Sequence, residues 1–366
     1  MAERALPATL HRGMIFLLTE ECNSRCVMCD SWRVPEPRSL DAEEVMSFWR
    51  RRVRTRKGSV ALTGGEPLLY PRLFELMEVF RANTDHLVLS TNGLLLGRHA
   101  PEVARYCSKV IVSVDGATGG TFRAVRGISA LDQVIDGARI VRRLSARTRV
   151  LFKMTVQRRN FREVPEVFRL AQEVGASGLA LTVPDVDTSS FLKLEGERAD
   201  RSRTILLTES ECEEFRGIAE ETARRFATPL AAGYVVEGSL DGCLAFFEYR
   251  AGVGRPPAPR TCERALTRIV VMPDGSLRPC FFLPPLARFA IPAGATFLTI
   301  RRCLGSGSDL TRARSQPAGN AGNLWTGDSD ASDWRRDCGD RIRRKSGVAR
   351  ARIGLPGARG GAAGRG

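Results

Sequence analysis

Histidine is almost missing from this chain: 366 residues hold only His11, His86 and His99. A zinc site built on mixed Cys and His ligands therefore has little to draw on. No apolar run is long enough to cross a bilayer, and the opening Met1-Ala2-Glu3-Arg4-Ala5-Leu6-Pro7 lacks the basic-then-apolar order of a secretion signal. A soluble, cytoplasmic protein with no membrane partner is expected. Glutamate is absent from residue 287 onward, where 15 Lys and Arg face 6 Asp and give +9 of the chain's +15. Clustered positive charge attracts phosphate backbones. An arginine-rich end of this kind is more simply a solvated segment, so nucleic acid is not an expected partner.

What the chain does have is cysteine, ten of them, and 43% hydrophobic residues, enough for one large or two medium domains. Clustered cysteines in a reducing compartment point to metal-held thiolates and away from disulfides. Cys107 and Cys212 fall in apolar helical patterns and are expected to be core packing. Cys22, Cys26 and Cys29 are different. They follow the apolar run Met14-Ile15-Phe16-Leu17-Leu18 with C-x3-C-x2-C spacing. Three thiolates on one loop can hold three irons of a 4Fe–4S cube and leave the fourth iron open to a ligand.

Residues 14–185 alternate short apolar runs with amphipathic stretches. The runs predict strands over Met14–Thr19, Ser59–Thr63, Leu87–Ser90, Val110–Val114, Val150–Val156 and Gly178–Thr182. Helices are predicted over Leu40–Val53, Pro71–Ala82, Ala100–Tyr106, Leu131–Leu144 and Val164–Val174. Six such repeats predict an α/β fold with a parallel sheet, two units short of a full eightfold barrel and with its site at the C-terminal strand ends. A polar connection and a helix occupy 186–239. Thr208 and Glu211 are set to cap that helix, and Phe215, Ile218, Ala219 and Ala223 to form its apolar stripe. A second region, 240–286, contains a hairpin signal at Asp274-Gly275. Residues 287–366 hold 14 of the 35 glycines. They are expected to be poorly ordered, a texture that a shifted reading frame in a GC-rich gene would also give.

The predicted strand ends carry polar signatures. Thr63-Gly64-Gly65-Glu66-Pro67 ends the second, Ser90-Thr91-Asn92-Gly93 the third and Ser113-Val114-Asp115-Gly116 the fourth; Phe122-Arg123-Ala124-Val125-Arg126-Gly127 follows. Paired glycines permit close approach to the backbone, and an arginine can grip a carboxylate with two hydrogen bonds. Each is modest alone. In this order, together with the cysteine loop, they resemble the radical S-adenosylmethionine (SAM) enzyme family over residues 10–185.

The resemblance implies a partial (β/α)6 TIM-like barrel and a 4Fe–4S cluster on Cys22, Cys26 and Cys29, with SAM on the fourth iron. By the same resemblance Gly64, Gly65 and Glu66 would meet the methionine ammonium, Ser113 and Asp115 the ribose or methionyl end, and Arg126 the carboxylate, with Asn92 a pocket residue. Met28 stands where the family usually has an aromatic residue before the third cysteine. Cys262 and Cys280, spaced C-x12-G-x4-C around Gly275, resemble the opening of an auxiliary SPASM or twitch region, which would add a second 4Fe–4S cluster; its later closely spaced cysteines are missing.

The implied activity is reductive cleavage of SAM to a 5′-deoxyadenosyl radical, fed by a flavodoxin- or ferredoxin-type donor. The radical would take hydrogen from a peptide or small metabolite, as in a maturase. A cofactor-forming cyclase of the molybdenum-cofactor type is the enzymatic alternative. A metal-stabilised nucleic-acid binder is the non-enzymatic one, and it leaves the Gly-Gly-Glu-Pro unexplained.

Overall fold

A computed structural model describes residues 13–52, 58–84, 86–186, 198–255 and 268–278, and between 279 and 288 residues 280, 281, 285, 287 and 288. Cys262 and almost all of the 287–366 segment lie outside the described residues.

Six strands, β1 (Gly13–Leu17), β2 (Ser59–Thr63), β3 (His86–Thr91), β4 (Lys109–Ser113), β5 (Arg149–Thr155) and β6 (Gly178–Thr182), pair in parallel in chain order. The crossovers carry α1 (Ala42–Arg52), α2 (Leu73–Arg81), α3 (Ala100–Tyr106), α4 (Gly119–Arg126), α5 (Leu131–Leu144) and α6 (Val164–Glu173). This is a partial (β/α)6 barrel. Strand β7 (Val235–Glu237) extends it beyond β6 in parallel. On the opposite side β8 (Arg268–Val271) joins β1 in parallel. It turns back through Gly275, at φ +75°, into β9 (Ser276–Arg278), and β10 (Ala287–Arg288) pairs with β9. The hairpin expected around Asp274 is thus continuous with the barrel sheet.

Alternation along each strand sorts the residues. Phe16, Leu62, Leu89, Val112 and Phe152 lie buried among the helices. The opposite face holds a small second cluster of Leu17, Val270 and Met272, and toward the strand ends it carries Thr63, Ser90, Ser113, Lys153 and Thr182. The strands predicted from Ser59 and Gly178 start where they are observed; the other four start one residue late, because Gly13, His86, Lys109 and Arg149 at the sheet's N-terminal rim are polar or small and still join the ladders. The apolar runs are what the sequence pattern follows.

Helix α4 has no counterpart among the predicted helices, since it opens on Gly119-Gly120. Thr118 caps it by accepting from Thr121 N–H at 3.2 Å, and Gly127 ends it at φ +72°. Two further short helices, α7 (Arg198–Ile205) and α9 (Ala227–Ala231), flank α8 (Glu209–Arg225). Helix α8 starts on the predicted capping box of Thr208 and Glu211. Its buried face is Cys212, Phe215, Ala219 and Thr222; Ala223 is exposed because it lies one position off the 3-4-3 spacing of that face. Helix α10 (Leu240–Arg250), capped by Ser239, packs on α8.

The core between β1 and its helices centres on Phe80, stacked on Phe16 at 5.0 Å and met edge-on by Trp49 at 4.8 Å. Phe80→Ala is expected to destabilise the protein by about 3–5 kcal/mol, measured by denaturant titration.

Candidate functional site

The three cysteines lie on the loop after β1, and that loop has no regular structure of its own. Its shape comes from two neighbours. On one side the Gly64-Gly65-Glu66 segment after β2 lies against it: Gly65 N–H donates to Thr19 O at 2.7 Å and Glu66 N–H to Glu21 O at 2.7 Å. A Cβ on Gly64 would sit 2.5 Å from Thr19 O, and one on Gly65 2.2 Å from Glu21 O. Both glycines are required here by one stretch of backbone approaching another. On the other side Arg25 N–H donates to Arg126 O and Val27 N–H to Val125 O, each at 3.0 Å. The residues flanking Cys26 are therefore held by the last turn of α4.

Glu66 is fully buried, and its carboxylate is occupied by protein. Oε1 accepts from Thr91 Oγ1 at 2.7 Å and Leu68 N–H at 3.0 Å, and Oε2 accepts from Asn92 N–H at 2.7 Å. Burial raises its pKa above the usual carboxylate value, while these hydrogen bonds pull it back. Asn92 donates to Asn23 Oδ1 at 2.7 Å and reaches Cys22 Sγ at 4.0 Å. Glu66 and Asn92 thus tie the ends of β2 and β3 to the cysteine loop.

Asp115 and Arg126 form a buried ion pair, Nη1 to Oδ2 at 3.0 Å. Asp115 Oδ1 also accepts from Thr155 N–H at 2.6 Å, and Asn160 Nδ2 donates to its carbonyl at 3.0 Å. Ser113 ends β4, half-buried on the inner face. The Sγ of Cys29 lies 3.4 Å from Ser31 Oγ, and Trp32 donates its indole N–H to Cys26 O at 3.3 Å. Met28 packs its sulfur 3.6 Å from Gln157 Nε2. Burial pushes the Cys26 thiol up to about 12, with the Arg126 cation opposing the rise; Cys22 is raised for the same first reason.

Among the described residues no three His, Cys, Asp or Glu side chains converge tightly enough to hold one metal ion. A single tetrahedral zinc is therefore a poor fit. A cube asks for a looser set, because each thiolate takes a different iron. Cys22, Cys26 and Cys29, together on one loop, are the residues that would hold it. Around it Ser24 Oγ, Arg126 Nε and Gln157 Oε1 are buried without hydrogen-bond partners among the described residues, which suits a polar cofactor. Cys243 is enclosed in the core with Phe246 and Phe247, and Cys280 is half-buried beside the β9 hairpin.

The sequence patterns overlooked Lys153, Gln157 and Asn160. Lys153 sits across from Ser113 in register, half-buried on the inner face. Among the described residues its ammonium has no hydrogen bond or ion pair, whereas the buried acids Glu20, Glu66 and Asp115 are each engaged by other groups. A lysine at period two with Leu151 and Thr155, inside an apolar run, was the available signal.

The sequence profile of the Radical SAM superfamily matches residues 16–171. Among curated proteins, a pre-heme d1 synthase of Dinoroseobacter shibae is 34% identical over 54% of this chain and 50% of its own length. An AdoMet-dependent heme synthase of Methanosarcina barkeri is 33% identical over 43% of this chain and 46% of its own. A GTP 3′,8-cyclase of Marinobacter nauticus is 28% identical over 53% and 58%. The chain thus spans about half the length of the curated relatives it matches. Among solved structures, anSMEcpe with bound AdoMet and a peptide superposes with a TM-score of 0.54 at 20% identity, covering 78% of each chain. Streptococcus suis SuiB bound to S-adenosylmethionine gives 0.53 at 13% identity, covering 79% of this chain and 63% of its own. At these identities the likeness is one of fold.

Gly65→Ala is expected to spring the cysteine loop from β2. The variant should retain less than half of the wild-type iron after anaerobic reconstitution, read by iron and sulfide assay, with far-ultraviolet circular dichroism reporting whether the barrel persists.

Proposed function

We propose, from the match of residues 16–171 to the Radical SAM superfamily, that this chain cleaves S-adenosylmethionine reductively at a 4Fe–4S cluster held by Cys22, Cys26 and Cys29. The superfamily's cluster and SAM supply, when bound, an electron and a 5′-deoxyadenosyl radical that takes a hydrogen atom from a substrate C–H. A flavodoxin- or ferredoxin-type protein is the proposed electron donor.

The chain's own residues do the rest. The cysteine loop, gripped on both sides, fixes the three sulfurs. Glu66 and Asn92 hold the loop against the ends of β2 and β3. On the inner face Leu17, Val270 and Met272 form a small buried apolar cluster, and apolar lining of this kind would help to keep water from a reactive intermediate. The observation that carries this reading is the placement of the middle cysteine's two neighbours on α4 and of the Gly-Gly-Glu backbone on the same loop.

Anaerobic reconstitution with iron and sulfide should give about four irons per chain for one cube, or about eight if Cys262 and Cys280 serve a second. SAM plus reductant should then yield 5′-deoxyadenosine, and Cys26→Ala should abolish both the cluster and this product. Full turnover in that variant would refute the assignment.

On the substrate, a peptide or small metabolite handled in the manner of a maturase is the first reading. The ammonium of Lys153, without a hydrogen bond or ion pair among the described residues, favours the second, a cofactor-forming enzyme acting on a small anionic metabolite, and the GTP cyclase and heme synthase names among the sequence relatives support it. Lys153→Met should weaken binding of GTP or of a porphyrin carboxylate at least tenfold in calorimetry on the reconstituted protein, with SAM affinity unchanged. Unchanged binding of a probe that does bind would return the case to the peptide.

A further inference from the structure

Three exposed arginines from three separate segments meet on the last turn of α4. Arg123 belongs to that turn. Arg25, on the cysteine loop, donates its amide to Arg126 O at 3.0 Å, and a Cβ built on Gly127 would lie 2.7 Å from Arg25 Cβ. Arg159, in the turn after β5, donates Nη1–H to Ala124 O at 2.8 Å. Among the described residues no carboxylate pairs with any of these guanidinium groups. Glu163 serves the opposite end of the helix, accepting from Thr118 and Thr121. Several exposed arginines elsewhere are matched: Arg139 holds Asp136, Arg162 holds Glu214 and Arg169 holds Glu173. The helix dipole favours a cation in the last turn of a helix, which accounts for Arg123. It does not account for two more cations brought in from other segments, since like charges side by side repel.

We propose that this arginine face is the docking surface for the electron donor, a small acidic one-electron carrier of the flavodoxin or ferredoxin type. The inference rests on the radical SAM reading above. The face adjoins the cysteine loop: Arg25 precedes Cys26 in the chain, and the turn that carries Arg123 takes the amides on both sides of that cysteine. A carrier drawn to these cations is therefore delivered to the loop with Cys22, Cys26 and Cys29. One electron passes to the centre held there; the carrier is oxidised by one electron, and no bond is made or broken. Complementary charge speeds encounter and sets orientation. Electron-transfer contacts are small and short-lived, a scale on which three unpaired guanidinium groups are a large share of the surface.

The test mixes the reconstituted full chain with photoreduced flavodoxin, reading the reduction rate by stopped-flow absorbance and the affinity for flavodoxin by calorimetry. In wild type the rate should fall steeply with added salt. Arg123→Glu should lower rate and affinity at least tenfold, and Arg159→Gln should lower both by a smaller factor. Photoreduced deazaflavin, a small donor that needs no docking face, should reduce wild type and both variants alike. Arg147→Glu reverses an exposed charge just before β5, at the opposite rim of the sheet, and should leave the flavodoxin rate within about twofold of wild type. Equal flavodoxin rates in wild type and Arg123→Glu at full iron content overturn the inference, as does a wild type that flavodoxin fails to reduce. So does a loss shared by Arg147→Glu, which would reflect net charge alone, or a loss shared by deazaflavin, which would reflect a damaged site. Binding of single-stranded RNA that Arg123→Glu abolishes, with no binding of flavodoxin, would assign the face to nucleic acid and overturn it too. A wild-type protein without a cubane signal would instead overturn the functional reading, and this inference with it.

Discussion

A loop without helix or strand keeps its shape only if its backbone amides find partners elsewhere, and the cysteine loop finds them in two places. The Gly64-Gly65 segment closes on residues 19–21, and the final turn of α4 takes the amides on either side of Cys26. The rest of the site follows from that clamp. Unpaired buried amides would cost more than the loop's few side-chain contacts return, so the loop and the two strand ends that hold it stand or fall together. The buried side chains of Glu66, Asn92 and Asp115 fit this logic. Each spends its hydrogen-bonding capacity joining strand ends to the loop or to one another.

Charge at the site is correspondingly well accounted for. Glu20 is gripped by Arg38 with contacts of 2.7 and 3.2 Å, and Asp115 by Arg126. Buried ion pairs seldom add net stability, because removing two charges from water costs about what their attraction returns. For Asp115 and Arg126, both buried, the value is directional: the pair fixes side chains at the end of β4 and on α4; the Arg38 side chain that holds Glu20 is exposed. Against this background Lys153 stands out, a cation half out of water with no anion given to it among the described residues.

Much of this could be read beforehand, and the limits have physical causes. The six parallel strands were visible because each core-facing set, such as Phe16, Leu62, Leu89 and Phe152, sits in a short apolar run. The cysteine spacing singled out the loop after β1 as the proposed cluster site. The Gly-Gly-Glu sequence pointed to close approach, but periodicity cannot say what approaches; the structure brings up the loop's own backbone. Helix α4 was hidden by its two opening glycines, and with it the reason Arg126 matters. Contacts between residues far apart in sequence, such as Asp115 with Asn160, leave no local pattern. Lys153 was obscured because a single polar residue in an apolar run looks like noise until the strand's faces are assigned.

The parallel pairing of β8 with β1 has a bearing on synthesis. Among the described residues β1 leaves the ribosome before the other strands, yet one of its two neighbours, Arg268–Val271, follows only after β2 to β7. Until that stretch emerges, the nascent barrel carries a bare flank along Gly13–Leu17, beside the loop that carries Cys22, Cys26 and Cys29. Premature pairing of that flank with another chain would be a hazard during translation, and arrival of the late strand would remove it.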